Sequence, residues 1–574
     1  MTTSIVEAES ILAIDLGSVH TRALLFDVVE GQYRFIGSGS AASTTNAPFR
    51  DIGEGFHQAV LDLQEKLGRT LVENGVLILP SREDNAGIDK LVVTYTAGPE
   101  LRIVTAGLLA DVSLQSVQRL ATTVCGQIAE SISLGDHRRP EAQIDAILRA
   151  EPNLIILGGG TEQGASRSVF KLAELLMMVC RVLPQERRPH ILYAGNQALA
   201  RRIQDVLSKW TIVHVAPNLR PGIDSEDLSP AQETLASLVT GFRNSQIGGM
   251  QSLTSQCSAA PLPVSHAMGR MVKFLSQSYD PTKGVLGIDI GSKGVIVAVG
   301  KAGKLSLKVS PYGMGSSANR LAETSLIDEV NRWMAVFTPP ETIRDYLWQK
   351  TLYPGSIPYT AEALAIEQAM ARVILRLGMS QTWSSYPDLG ESFEPILASG
   401  SILSQAPTAG QALLMLLDGL QPVGVSTVIL DKYNLLPALG IAAEVNSLLP
   451  VQTLESSAFL NLGTVICPIS PARYGAPILR IRLEYEKGNE TRMEIQQGSL
   501  TSLPLKNGQS ARLHLEPLRR TLIDPAGQRG INSFKITGGL CGAVIDARGR
   551  PIPLPGDAAR RRDILKKWKQ TLGN

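Results

Sequence analysis

The 574-residue chain is 44% hydrophobic, 19% charged and 5% aromatic, with 55 Lys and Arg against 53 Asp and Glu. That balance excludes a small stapled scaffold and a chain disordered throughout, because disorder needs low hydrophobicity and high net charge. A formal charge of +2 supplies no field for steering onto phosphate backbones, so small molecules or proteins are the expected partners and nucleic acid is not.

The first ten residues, MTTSIVEAES, are acidic where a signal peptide carries a basic start and an apolar core, and no window offers about 18 uninterrupted apolar residues. Cys125, Cys180, Cys257, Cys467 and Cys541 are dispersed and never at metal spacing, as reduced thiols are. A cytoplasmic location without a membrane span is the expectation.

In chain order, the first strong signal is ILAIDLGSVHTRALLF from Ile11, an apolar run ending in Asp-x-Gly-Ser and followed by a second β-rich run. It repeats as VLGIDIGSKGVIVAVG from Val285. At an offset of 274, Leu12, Ile14, Asp15, Gly17 and Ser18 match Leu286, Ile288, Asp289, Gly291 and Ser292. Strand, tight turn, strand is the expected structure at both places. Each copy is followed at a distance by a buried strand ending in small residues, NLIILGGGTEQG from Asn153 and PILASGSILSQ from Pro395. Between them, Phe170 to Leu183 reads as an amphipathic helix. These recurrences predict an α/β protein with a first lobe over 1–245, a linker or crossing segment over 246–283 and a second lobe over 284–458. The linker's first part, to residue 269, holds no charged residue.

A C-terminal all-β module with a terminal helix is expected over 459–574. Leu479, Ile481, Leu483 and Tyr485 alternate with Arg480, Arg482, Glu484 and Glu486, and the turn Lys487-Gly488-Asn489-Glu490 leads into Thr491, Met493 and Ile495. That is a hairpin with one wet face. In the final ARRRDILKKWKQTLGN, Ile564, Leu565, Trp568 and Leu572 share one helical face opposite Arg and Lys. Such a helix packs on its own domain or docks on an acidic surface.

Gly at the tip of a hairpin lets backbone N–H groups approach a phosphate without a Cβ in the way, and Ser adds a hydroxyl donor. An Asp at the strand end suits Mg²⁺, which keeps most of its water and takes few carboxylates. Two such hairpins facing each other would clamp nucleotide phosphates; each alone is also an ordinary polar turn. Gly158, Gly159, Gly160, Thr161 and Glu162 stand in the first lobe where Ser399-Gly400-Ser401 stand in the second, and either line a cleft or permit tight strand-to-helix packing. His20 either touches phosphate or is a solvated turn residue. The other histidines lack ligand spacing, and no P-loop, Gly-x-Ser-x-Gly elbow or HExxH helix occurs.

The hairpins resemble those of the superfamily of actin, the sugar kinases and the heat-shock chaperone ATPases, whose ribonuclease H-like lobes flank a cleft. More narrowly, LVVTYTAGPELRIVTAGL from Leu91, NLIILGGGTEQGASRSV from Asn153, HILYAGNQALARRI from His190, the run Pro217 to Pro221, GVLGIDIGSKG from Gly284, PILASGSIL from Pro395 and LLMLLDGLQPVGVSTVILDKYNLLPALG from Leu413 resemble the glutamate mutase-associated accessory family GlmL, also written MutL. The resemblance covers about residues 10 to 445. It implies ATP or ADP with Mg²⁺ as cofactor and a coenzyme-B12-dependent mutase as partner, the protein acting as a chaperone or reactivating factor. Asp15, Gly17, Ser18, Thr21 and Arg22 would hold phosphate from one side, and Asp289, Gly291, Ser292 and Lys293 from the other. Asp15 and Asp289 would hold the metal, with Ser399 and Gly400 near the base or ribose.

The second hairpin departs from the family pattern. Val295 and Ile296 replace polar residues, the segment Tyr312 to Asn319 lacks its expected carboxylates, and Thr-Gly-Gly has become Ser399-Gly400-Ser401. Fewer acidic groups to orient water imply weak ATPase activity or none. Lys293 reads either as a direct phosphate ligand or as a solvated turn lysine. The alternative functions are a non-hydrolysing actin-like scaffold and, with no clear carboxylate base for an acceptor hydroxyl, a small-molecule kinase.

Overall fold

Apolar runs bounded by turn residues become strands in the computed structural model, which describes residues 9–162, 164–486, 488–524 and 533–572. The first sheet runs in the order Leu262–Pro263, Lys90–Tyr95, Ile11–Leu16, His20–Val29, Gln32–Ala42. The second begins Lys304–Ser310, Val295–Lys301, Gly284–Ile290, Phe393–Ser399, Gly424–Leu430. Both follow one plan. The leading strand pairs antiparallel with the next, which pairs antiparallel with the third, and on its other side the leading strand meets two parallel neighbours in succession.

That plan corrects one pairing expected from sequence. The first-half counterpart of Phe393–Ser399 is Lys90–Tyr95, because these are the strands parallel to the two leading strands. NLIILGGG instead supplies Leu154–Leu157 to a separate sheet ordered Val213–Val215, His190–Tyr193, Leu154–Leu157, Leu101–Gly107, Gly126–Ser133. All its pairings are parallel. Its helices include Ser166–Val182, which buries Val169, Leu172, Leu176 and Val179, and this cover explains why the central strands are apolar on both faces. Both sequences are buried strands ending in small residues, and only the pairing tells them apart.

The charge-poor segment after residue 246 is ordered. It forms Met250–Gln256, then Leu262–Pro263 at the edge of the first sheet, then the helix Val264–Ser278. Val264, Ala267, Met268, Met271, Val272 and Leu275 are buried in one cluster with Ile11, Ala13 and Val92 of the first half and Val285, Ile296 and Leu397 of the second. From Pro261 to Gly269 the absence of charge reflects burial between two sheets, while most of 251–260 is exposed. His266 on this helix is buried with neither ring nitrogen bonded, and desolvation pushes it down to about 4, so it is neutral.

The expected break at 459 is crossed by hydrogen bonds. Leu460–Cys467, Ala543–Asp546 and Leu500–Leu503 extend the second sheet beyond Gly424–Leu430, leaving a four-stranded antiparallel sheet of Glu490–Gln496, Pro477–Tyr485, Ser510–Pro517 and Ser533–Thr537 beside it. The hairpin around 487 forms, with Leu483 opposite Thr491 and Leu479 opposite Ile495; Lys487 itself lies outside the described residues. An open edge on Gly424–Leu430 would be a template for aggregation, and the added strands cover it. The helix Ala558–Leu572 buries Leu565, Trp568 and Leu572 against the second-half core.

Candidate functional site

The two hairpin turns are built alike. Gly17 N–H donates to the His20 carbonyl at 3.0 Å, and Gly291 N–H to the Gly294 carbonyl at 2.9 Å. Cross-strand register is also conserved at the 274 offset: Ile11 faces Phe26 and Val285 faces Gly300, while Asp15 faces Arg22 and Asp289 faces Ile296. On the other side Asp15 lies opposite Thr94 and Asp289 opposite Ser399. A Cβ on Gly17 would stand 2.5 Å from the His20 carbonyl oxygen, so only glycine closes this turn.

Both turns line one cavity of about 510 Å³. Asp15, Gly17, Ser18, His20 and Arg22 come from the first hairpin, and Asp289, Gly291, Ser292 and Lys293 from the second, with Gly400 beside them. Two expected residues are displaced from the wall. Thr21 is 1% exposed and points into packing, and Ser399 is 1% exposed, its hydroxyl donating to Asp289 Oδ1 at 2.7 Å. Gly158, Gly159 and Gly160 lie elsewhere, at the end of Leu154–Leu157. A Cβ on Gly158 would stand 2.5 Å from Val117 Cγ2, and one on Gly159 2.6 Å from Leu108 Cγ, so tight packing accounts for them.

Asp15 and Asp289 are both buried, and desolvation raises both carboxyls above the usual range. Against that, Asp15 accepts from Arg22 Nη1 at 3.4 Å, Thr94 Oγ1 at 3.4 Å and Asn434 Nδ2 at 3.3 Å. Asp289 has the Ser399 bond and the attraction of Arg22, while the charge of Asp15 raises it further. Asp431 stands close enough to feel Asp289; burial pushes it up to about 6, although it accepts the Leu435 and Leu436 amides at 2.8 Å each. Among the described residues no group of three or more His, Cys, Asp or Glu is placed to hold a metal ion.

The turns differ in what surrounds them. At the first turn the Ser18 carbonyl accepts from Asn46 Nδ2 at 2.7 Å, and Ser18 lines the cavity. At the second turn the loop 313–317 folds over the backbone: Ser316 N–H donates to Ser292 Oγ at 3.0 Å, Gly315 N–H to the Ser292 carbonyl at 3.1 Å and Ser317 Oγ to the Lys293 carbonyl at 2.9 Å. Lys293 is neither a solvated turn residue nor free; its Nζ donates to the Gly98 carbonyl of the first half at 2.5 Å.

Sequence reasoning missed Asn434, Arg243 and the pair Lys350–Glu367, joined at 2.6 Å, all of which line the cavity. Asn434 adopts a left-handed φ of 60° just before Leu435–Ala442, a conformation Asn tolerates better than most residues. Nothing local marks the other three, since only tertiary packing brings them to the cleft.

The MutL protein family model matches residues 11–458, and the chain belongs to that family. Comparison with curated proteins gives no match. Among solved structures the chain is similar to nucleotide-free acetone carboxylase, at 12% identity over 85% of this chain and 81% of that one, with a TM-score of 0.36. It is also similar to component A of (R)-2-hydroxyglutaryl-CoA dehydratase from Acidaminococcus fermentans, at 10% identity over 76% and 97%, TM-score 0.27. For xylulose kinase from Bifidobacterium adolescentis the values are 13%, 77% and 94%, TM-score 0.28. No helix among the described residues is long and apolar enough to cross a membrane.

Proposed function

We propose, from membership of the MutL family and the geometry of the cavity, that this chain is an actin-like nucleotide-binding accessory protein whose two lobes close on ATP or ADP with Mg²⁺. The observation that carries the reading is the pair of hairpins of identical register, 274 residues apart, facing one cavity. Gly17 and Gly291 admit a phosphate close to the backbone, the Ser18 hydroxyl donates to it, and Arg22 supplies a cation beside it. Two desolvated carboxylates within electrostatic reach of each other, Asp15 and Asp289, suit a hydrated divalent cation, which would neutralise phosphate charge and relieve their repulsion. Gly400 and Ser401, also in the wall, would lie toward the nucleoside.

The second hairpin favours binding with little or no turnover. Its turn is covered by the loop 313–317, whose Ser316 amide donates to Ser292 Oγ, Ile296 stands where the first hairpin has Arg22, and Asp431 is committed to helix amides. Nucleotide state would then act by biasing lobe closure and so the surface offered to a protein partner, by family membership a coenzyme-B12-dependent mutase of the glutamate mutase type.

Calorimetric titration of the purified chain with Mg-ATP and Mg-ADP tests the reading. Saturable binding weakened about tenfold or more in Asp15→Ala supports it, and no binding to either nucleotide sinks it. Phosphate release abolished by Asp15→Ala would overturn the low-turnover part alone. For the partner, retention of a purified B12-dependent mutase on the immobilised chain should change between ATP and ADP; no retention in either state removes that assignment.

A further inference from the structure

Among the described residues, the fully buried Lys and Arg side chains pair with carboxylates, with one exception. Lys283 pairs with Asp524 at 2.7 Å, Lys350 with Glu367 at 2.6 Å, Arg372 with Asp418 at 2.7 Å, and Arg548 with Asp546 at 2.8 Å and Asp418 at 2.7 Å. Arg243, 3% exposed, has no carboxylate within ion-pair distance among the described residues. Its Nη1 donates to the Pro99 carbonyl at 2.8 Å and to Gln246 Oε1 at 2.7 Å, and its buried Nε has no hydrogen-bond partner. A guanidinium desolvated to this degree without a counter-charge is costly unless an anion joins it.

The side chain is aimed rather than stranded. It runs along Gly98, where a Cβ would stand 2.8 Å from its Cδ, Nε and Nη1, and Gly98 holds φ at +110°. Lys293 reaches the carbonyl of the same glycine from the second hairpin and likewise lacks a carboxylate partner among the described residues. Arg243 and Lys293 line the interlobe cavity together, near Val124, Val239, Val264 and Val309. These apolar walls strengthen charge–charge attraction by excluding water. Burial lowers the pKa of both cations; Cys125, also in the cavity wall, opposes this at each of them, and at Lys293 the charge of Arg243 lowers it further while that of Glu100 raises it.

We propose that Arg243 and Lys293 form an oxyanion subsite for a phosphate group, one cation from each half of the chain. Guanidinium offers a planar donor fork and ammonium a point charge, and together they suit a tetrahedral oxyanion. A phosphate there would bond to both halves at once and hold the cleft closed through charge. Its source is either the terminal phosphate of a nucleotide or a separate phosphate; only the first rests on the nucleotide reading.

The test is calorimetric titration of the full chain with inorganic phosphate, alone and with Mg-ADP or Mg-ATP present, for the wild type, Arg243→Gln and Lys293→Gln. Phosphate binds the wild type, and each substitution weakens it about ten- to hundredfold, the worth of a charged hydrogen bond. If the phosphate is the nucleotide's own, Mg-ATP excludes inorganic phosphate, Mg-ADP does not, and any preference for ATP over ADP is lost in Arg243→Gln. A separate ligand binds equally well beside either nucleotide. No phosphate binding by the folded wild type, or affinity unchanged in both variants, overturns the subsite. Where Arg243→Gln fails a circular-dichroism check of folding, Lys293→Gln decides alone. Phosphate binding without nucleotide binding sinks the nucleotide reading and leaves the subsite; nucleotide binding without phosphate binding does the reverse.

Discussion

The first and second hairpins share a backbone, a register and a cavity, and differ in nearly every polar contact around the turn. Arg22 stands across from Asp15, whereas Ile296 stands across from Asp289. Ser18 and Ser292 both line the cavity, but the Ser292 Oγ accepts the Ser316 amide, whereas the Ser18 carbonyl accepts the Asn46 side-chain amide. The surrounding sheets differ as well: the first ends beside the two-residue strand Leu262–Pro263, while the second is extended by three strands from beyond residue 458. Backbone geometry at a tight turn is fixed by sterics and survives substitution, but the chemistry at its tip depends on neighbours that each half acquired separately.

The largest expected effect concerns the added strands. Arg548, fully buried between Asp418 of the helix Ala409–Leu420 and Asp546 of the strand Ala543–Asp546, ties them to the second half. Arg548→Ala leaves Asp418 with Arg372 alone and Asp546 with Arg550 alone, both buried, and should lower stability by about 3 kcal/mol in urea denaturation. A loss under about 1 kcal/mol would mean that the second half does not depend on this brace.

Acid response comes next: each half buries a carboxyl raised by desolvation, Asp15 and Asp289, and the second adds Asp431. Asp431 rises from 3.8 to about 6 through burial, so the folded chain binds a proton that the unfolded chain releases between those values. Stability on this account falls as pH rises through that window, by on the order of 3 kcal/mol. Asp431→Asn should flatten the slope of urea midpoints between about pH 4 and pH 6 relative to the wild type; parallel slopes would disprove the assignment.

The turns themselves give a smaller contrast. A Cβ at Gly17 would stand 2.5 Å from the His20 carbonyl oxygen, but one at Gly291 would stand 3.2 Å from that of Gly294. Gly17→Ala should therefore cost about 1–3 kcal/mol and Gly291→Ala clearly less; equal losses would show that the turns are under equal constraint. Smallest is the serine pair. Ser292→Ala removes the acceptor of the Ser316 amide and should cost about 1 kcal/mol, while Ser18→Ala should change the melting midpoint little and weaken Mg-ATP instead. The reverse pattern would interchange the roles assigned to the two turns.

Much of the site was legible because hairpins are local. The Asp-x-Gly-Ser repeat placed Asp15, Gly17, Ser18, Asp289, Gly291, Ser292 and Lys293 on turns that meet at one cavity. Thr21 and Ser399, expected at the phosphate and the nucleoside, are both buried off the wall: Thr21 pairs with the core residue Leu16 on the face opposite Arg22, and Ser399 sits beneath Asp289 and donates to its carboxylate. Asn434, Arg243, Lys350 and Glu367 were invisible because each lies on a segment whose own periodicity is that of an ordinary helix or loop.

By itself the sequence determined the local elements: two glycine-closed hairpins at a fixed offset, the amphipathic helices, the alternating strands near 480–495 and the family to which these belong. Periodicity and turn chemistry act over a few residues, so they can be read without the fold. Only the tertiary structure decided that Lys90–Tyr95 rather than Leu154–Leu157 partners the first hairpin, that the end of an uncharged stretch starts a buried helix, that strands beyond 458 complete the second sheet, and that Arg243 and Lys293 both reach Gly98. These are pairings across long separations, set by competition for burial and hydrogen-bond partners among strands of nearly identical local character.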